Sequence, residues 1–162
     1  MNIVRATTPD VIELVAPHMV FTDDRVKGPF ITELVYRMTK APDTLQFMVA
    51  LNEEKELRAY SICTNPGALL PFVLLAQVWS HPENPSYVAD RLLSQVIIWT
   101  IAMGKDYIRG ETVRNTAALM RRFGFEPYLQ LIKLDLVKSG HKAMLADHPE
   151  ELLYPEKEYI NG

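Results

Sequence analysis

The sequence predicts an α/β domain, and three observations lead there. Two strand-like apolar runs are joined by a short charged connection, a long apolar run lies between turn signals, and a strongly apolar helix-length segment is closed by Gly104. Together they give a sheet with at least one helix lying on it.

Each element follows in chain order. Residues 2–6 alternate weakly as a short strand and stop at Thr7-Thr8-Pro9-Asp10. There Thr8 is placed to cap a helix, Pro9 to fill its first position and Asp10 to sit at its positive end. Val11, Ile12, Leu14, Val15 and Met19 keep a helical stripe. After a polar break a second stripe follows Pro29 at Ile31, Leu34, Val35 and Met38. Residues 45–51 and 57–63 read as strands, and Asn52-Glu53-Glu54-Lys55-Glu56 is a connection of hairpin length. Asn65-Pro66-Gly67 marks a turn. The run 71–79, rich in Val, Leu and Phe, suits a central strand covered on both faces.

From 88 to 103 the chain is apolar, with Asp90, Arg91, Ser94 and Gln95 gathered early on one side, as expected of a helix packed on a sheet. Gly104 supplies its stop. Residues 106–113 form a further strand, 116–123 a short helix ending at Gly124, and 128–136 alternate clearly enough to predict a last strand. The stretch 137–162, with Pro149 and Pro155, reads as a C-terminal extension that covers an apolar edge or reaches the partner subunit of a homodimer.

Composition narrows the function. Seventeen Lys and Arg against twenty Asp and Glu, with no long run of one sign, leave no electrostatic footprint for nucleic acid. The single cysteine, Cys63, lies in an apolar run, which rules out an internal disulfide and fits a core thiol in a reducing compartment. No leader pattern and no membrane-length apolar stretch occurs, so a cytoplasmic, membrane-free protein is expected. The four histidines, at positions 18, 81, 141 and 148, show no metal-ligand spacing, and no metal is expected. No serine has a nucleophile-elbow context and no phosphate-binding glycine loop is present.

The element order, with Val78-Trp79-Ser80-His81-Pro82-Glu83 after the central strand and Arg121-Arg122-Phe123-Gly124-Phe125-Glu126-Pro127 near the end, resembles the GNAT superfamily of acyl-CoA-dependent N-acyltransferases. The first stretch looks like that family's "V-x-x-P-E" exit from its fourth strand, the second like its "K-x-G-F" ending. The resemblance covers residues 1–136. It implies a mixed, mostly antiparallel central sheet flanked by helices on both faces. It also implies coenzyme A held between the fourth and fifth strands, its pantetheine on backbone at 77–80 and its pyrophosphate at the start of the next helix. Val78, Trp79, Ser80, Ser86, Tyr87, Val88 and Arg91 are the cofactor-binding candidates by that reasoning, with Ser86 placed to cap the helix. Asn115 resembles a family asparagine on the following helix.

For proton transfer the candidates are Glu111 on the fifth strand as base, His81 as relay, and Tyr128 as the acid that would protonate the departing thiolate. Asp23, Asp24 and Arg25 fall where the resemblance places the border of an acceptor pocket. Two departures from the family pattern weigh the other way: the loop at 83–89 contains Pro85 and no glycine, and Met120 stands where the family often keeps its tyrosine acid. The implied activity is acetyl transfer from acetyl-CoA to a primary amine, on a small molecule or a protein, by direct attack. The alternative is a GNAT-like binding or assembly protein without catalysis.

Overall fold

The computed structural model describes residues 1–110, 121–127, 138–140, 142–143 and 147. The chain divides into two compact units, Met1–Thr116 and Ala117–Gly162.

In the first unit β1 (Asn2–Arg5), β2 (Leu45–Leu51), β3 (Leu57–Thr64), β4 (Phe72–Ser80) and β5 (Tyr107–Gly110) form one sheet in sequence order. The first four strands pair antiparallel, and β4 pairs with β5 in parallel. Parallel neighbours need a crossover, and α3 (Tyr87–Ala102) provides it. The sheet is therefore mixed and mostly antiparallel, with helices on both faces.

Before β2 lie α1 (Val11–Val15) and α2 (Lys27–Lys40). The apolar stripe reaching Met19 predicts a longer first helix. Pro17 ends it early, because proline has no N–H to donate and its ring crowds the carbonyl one turn back, and Ala16–His18 tightens into a 3-10 turn. Thr8 does not cap α1. Its hydroxyl bonds the Asp10 carboxylate, and Asp10, already in helical conformation, holds the N-cap position without a side-chain cap bond. At the end of α3, Gly104 takes φ +68°, Gly104 N–H donates to Ile101 O at 2.9 Å and Lys105 N–H to Thr100 O at 3.1 Å. These two bonds are the closing pair of a Schellman motif, which requires a residue tolerant of left-handed backbone.

Strand alternation separates two cores. Leu45, Phe47 and Val49 of β2 with Tyr60 and Ile62 of β3 pack under Ile12, Val15, Met19, Leu34 and Met38. Met48, Ala50 and Ala59 face Val88 and Leu92 of α3. Phe47, Tyr60 and Ile62 retain no solvent exposure, so the β2–β3 hairpin is the packed centre against which β4 pairs.

In the second unit residues 121–123 are helical and Gly124 follows with φ +72°, which matches the helix end read from the sequence. Arg122 lies over the Phe123 ring at 5.0 Å. Glu111, Asn115, Met120, Tyr128 and the predicted strand 128–136 lie outside the described residues.

Candidate functional site

The site is built on the second half of β4. Ile62 pairs with Gln77 but Cys63 pairs with Leu75, so Ala76 is an extra residue on β4. Such a bulge bends its strand and sharpens the twist. The described pairing with β5 runs from Phe72↔Tyr107 to Leu75↔Gly110, the last described residue of that strand.

Beyond the bulge the side chains sort by face. Gln77 and Trp79 stand opposite Ile62 and Tyr60, on the α1 and α2 side, whereas Val78 and Ser80 stand opposite Ser61 and Ala59, on the α3 side. The early half of β4 is buried at Phe72 and Val73, but Val78 is 49% exposed in mid-strand. The sequence reading of full coverage on both faces holds only at Phe72 and Val73, since Leu74 and Leu75 are already partly exposed.

On the α3 side, Tyr87 is 45% exposed and Val88 fully buried. Val88 therefore anchors the helix start in the core, and its amide donates to Pro85 O at 3.1 Å. Ser86 does not cap the helix: its backbone is already helical (φ −57°, ψ −30°) and its side chain makes no cap bond. The Arg91 guanidinium lies over the Tyr87 ring at 5.3 Å. Arg91 also lines a cleft of about 360 Å³ with Met1, Asn2, Ile3, Met48 and Gln95.

The loop 81–86 is braced rather than open. Asn84 Nδ2 donates to Arg58 O at 2.6 Å and to Ser80 Oγ at 3.0 Å, and Arg58 Nε donates back to Asn84 Oδ1 at 3.1 Å. Arg58 is itself the extra residue of a second bulge, since Ala50 pairs with Ala59 and Leu51 with Leu57. His81 N–H donates to Arg58 O at 2.8 Å and Asn84 N–H to His81 O at 3.0 Å. Arg58 and Asn84 carried no sequence signal, because a brace across 26 residues leaves no local spacing to read.

His81 is held by this loop. Glu83 N–H donates to His81 Nδ1 at 3.2 Å, so Nδ1 is the unprotonated nitrogen and the ring proton sits on Nε2. Glu83 Oε2 lies 3.9 Å from the same nitrogen and would pair only with a ring protonated there. The backbone contact is the shorter and sets the tautomer.

On the α1 and α2 side, the Trp79 ring stacks against His18, centroids 4.0 Å apart at 30°, and against Tyr60 at 6.2 Å. The His81 ring meets Trp79 edge-on at 6.1 Å. Gln77 Nε2 donates to Val20 O at 3.0 Å, so the chain after α1 is pinned to β4 at two adjacent points. Asp23 is engaged by Arg25 through bonds of 2.6–3.0 Å, so two of the three residues read at the border of an acceptor pocket pair with each other. Only spatial pairing brings out His18, which follows α1 by three residues and has no sequence neighbour in common with Trp79.

No protein family and no curated protein matches the sequence. Solved structures do. A predicted acetyltransferase with acetyl-CoA from Clostridium acetobutylicum superposes with a TM-score of 0.66 at 12% identity, over 85% of this chain and 97% of that one. An aminoglycoside antibiotic 6'-N-acetyltransferase from Acinetobacter baumannii gives 0.63 at 16%, over 83% and 96%. An aminoglycoside acetyltransferase in complex with a bisubstrate analogue built on coenzyme A gives 0.60 at 17%, over 83% and 96%. The sheet order, the parallel β4–β5 pair and these superpositions establish that the chain has the GNAT, or acyl-CoA N-acyltransferase, fold.

Proposed function

We propose that this chain is an acyl-CoA-dependent N-acyltransferase that passes an acetyl group from acetyl-CoA directly to a primary amine. The observation that carries the reading is the bulge at Ala76: it turns the second half of β4 away from the line of its first half and leaves Val78 exposed in mid-strand. An extended pantetheine can hydrogen-bond such a strand as a further strand would. Support also comes from the neighbours, which include proteins solved with acetyl-CoA and with a coenzyme A bisubstrate analogue.

The co-substrate would be held by backbone at 77–80 and, at its phosphates, by the start of α3 and Arg91. The partial positive end of a sixteen-residue helix favours an anion. Direct transfer needs no enzyme nucleophile: the amine nitrogen attacks the thioester carbon, the carbon–sulfur bond breaks, and the thiolate takes up a proton. The chain's part is to place the two reactants and to accept the amine's proton. Glu111 and Tyr128, both outside the described residues, keep from the sequence reading only a candidate part in moving protons, and Asn115 one in holding the cofactor.

The test is release of coenzyme A thiol from acetyl-CoA by purified protein with a panel of primary amines, an aminoglycoside included. Amine-dependent thiol release with matching acetylated product is expected. Thiol release unaffected by any amine, or none at all, contradicts the reading.

A second reading, a GNAT-like binding or assembly module, is favoured by one observation. The loop 81–86 spends the amides of Glu83 and Asn84 on itself, and Val88 N–H is bonded to Pro85 O, so fewer donors face a pyrophosphate than a glycine-rich loop offers. That reading expects no stabilisation by acetyl-CoA or coenzyme A.

A further inference from the structure

Among the described side chains around the second half of β4, the groups able to take a proton from an attacking amine can be compared one by one. Asp23 is paired with Arg25. His81 Nδ1 accepts from Glu83 N–H, which leaves that ring a donor at Nε2. Glu83 is 79% exposed and lies by Arg58 and His81. His18 differs from all of these. Its ring is oriented by the 4.0 Å stack on Trp79, and its backbone is fixed by the 3-10 turn and by Met19 N–H donating to Ala16 O at 3.2 Å. Two residues on, Val20 O is tied to Gln77. Among the described residues neither nitrogen of His18 takes part in a hydrogen bond.

We infer that His18 is the general base for the acceptor amine, held over β4 by Trp79. The inference rests on the acyltransferase reading above. In the step, the ammonium R–NH3+ gives one proton to the lone pair of the neutral imidazole and becomes R–NH2. That amine forms its bond to the thioester carbon of the acyl-CoA, the carbon–sulfur bond breaks, and the thiolate gains the nitrogen's second proton as free thiol. The imidazolium then returns its proton to solvent. Stacking on an indole suits this role, because a cation formed beside the ring face is favoured by the ring's quadrupole, and a fixed ring presents its nitrogen at a constant angle.

The test uses two amine probes with acetyl-CoA at pH 7: n-butylamine, which is an ammonium there, and methoxyamine, which arrives neutral and needs no base. With His18→Gln, kcat/KM for n-butylamine should fall on the order of 10²-fold or more, whereas the rate with methoxyamine, which needs no proton removed before attack, stays close to that of the wild type. Added imidazole should restore n-butylamine turnover to His18→Ala. An unchanged acetyl-CoA-induced rise in unfolding temperature shows that both variants are folded. Equal loss with both amines, no loss with either, or a wild-type protein that binds acetyl-CoA but acetylates neither probe overturns the assignment. Failure of the underlying reading shows itself differently, as absence of any acetyl-CoA effect on wild-type unfolding.

Discussion

At the scale of single residues, Cys63 is the most sharply specified. It sits on β3 with no solvent exposure, and burial pushes its thiol up from 9.0 to about 12. The folded protein then keeps a proton that the unfolded chain loses, so stability falls as pH climbs from 9.0 towards about 12 and is unaffected by this group at lower pH. Because the thiolate is the reactive form, native protein should not react with Ellman's reagent at neutral pH, and unfolded protein should show one thiol per chain. Rapid reaction of the native protein would place Cys63 at the surface. This residue was legible in the sequence, since an isolated cysteine in an apolar run has few alternatives. His18 was not: its role depends on a ring contact to a residue sixty-one positions away, and neither residue carries a local pattern that announces the other.

Among the elements, the decisive ones are β4 and the loop after it. The sequence showed β4 as one uninterrupted apolar run, and the structure keeps it a strand but inserts the bulge at Ala76. A bulge of one ordinary residue leaves no mark in composition, so this bend of the strand could not be read. The loop's missing glycines could be read, and they suggested a weakened site. The loop that lacks them is held to β3 by the pair Arg58 and Asn84, joined in both directions. Asn84→Ala removes three hydrogen bonds to β3 and β4, and a net loss of about 1–2 kcal/mol in urea unfolding is expected. The same variant should weaken acetyl-CoA binding by freeing the loop that leads into α3. A variant as stable as the wild type would show that the brace contributes nothing to the fold.

For the molecule as a whole, fold class and element order were legible because they depend on period, turn residues and helix stops. The paired runs, the Gly104 stop and the long central strand each appear where those signals put them. Element ends were less so: Pro17 shortened α1 and backbone geometry removed the expected caps at Thr8 and Ser86. No helix among the described residues is long and apolar enough to cross a membrane. Fold does not fix activity, and the superpositions at 12–17% identity carry architecture alone. The claim that joins sequence, sheet and site is that β4 beyond Ala76, with the start of α3, binds an acyl-coenzyme A. Thermal unfolding with and without acetyl-CoA tests it most directly. At about 100 times the dissociation constant the ligand should add about 2.7 kcal/mol, which for a chain of this size is a rise of roughly 5–10 °C. An unfolding temperature that stays fixed with both acetyl-CoA and coenzyme A would contradict the account and leave the binding-module reading in its place.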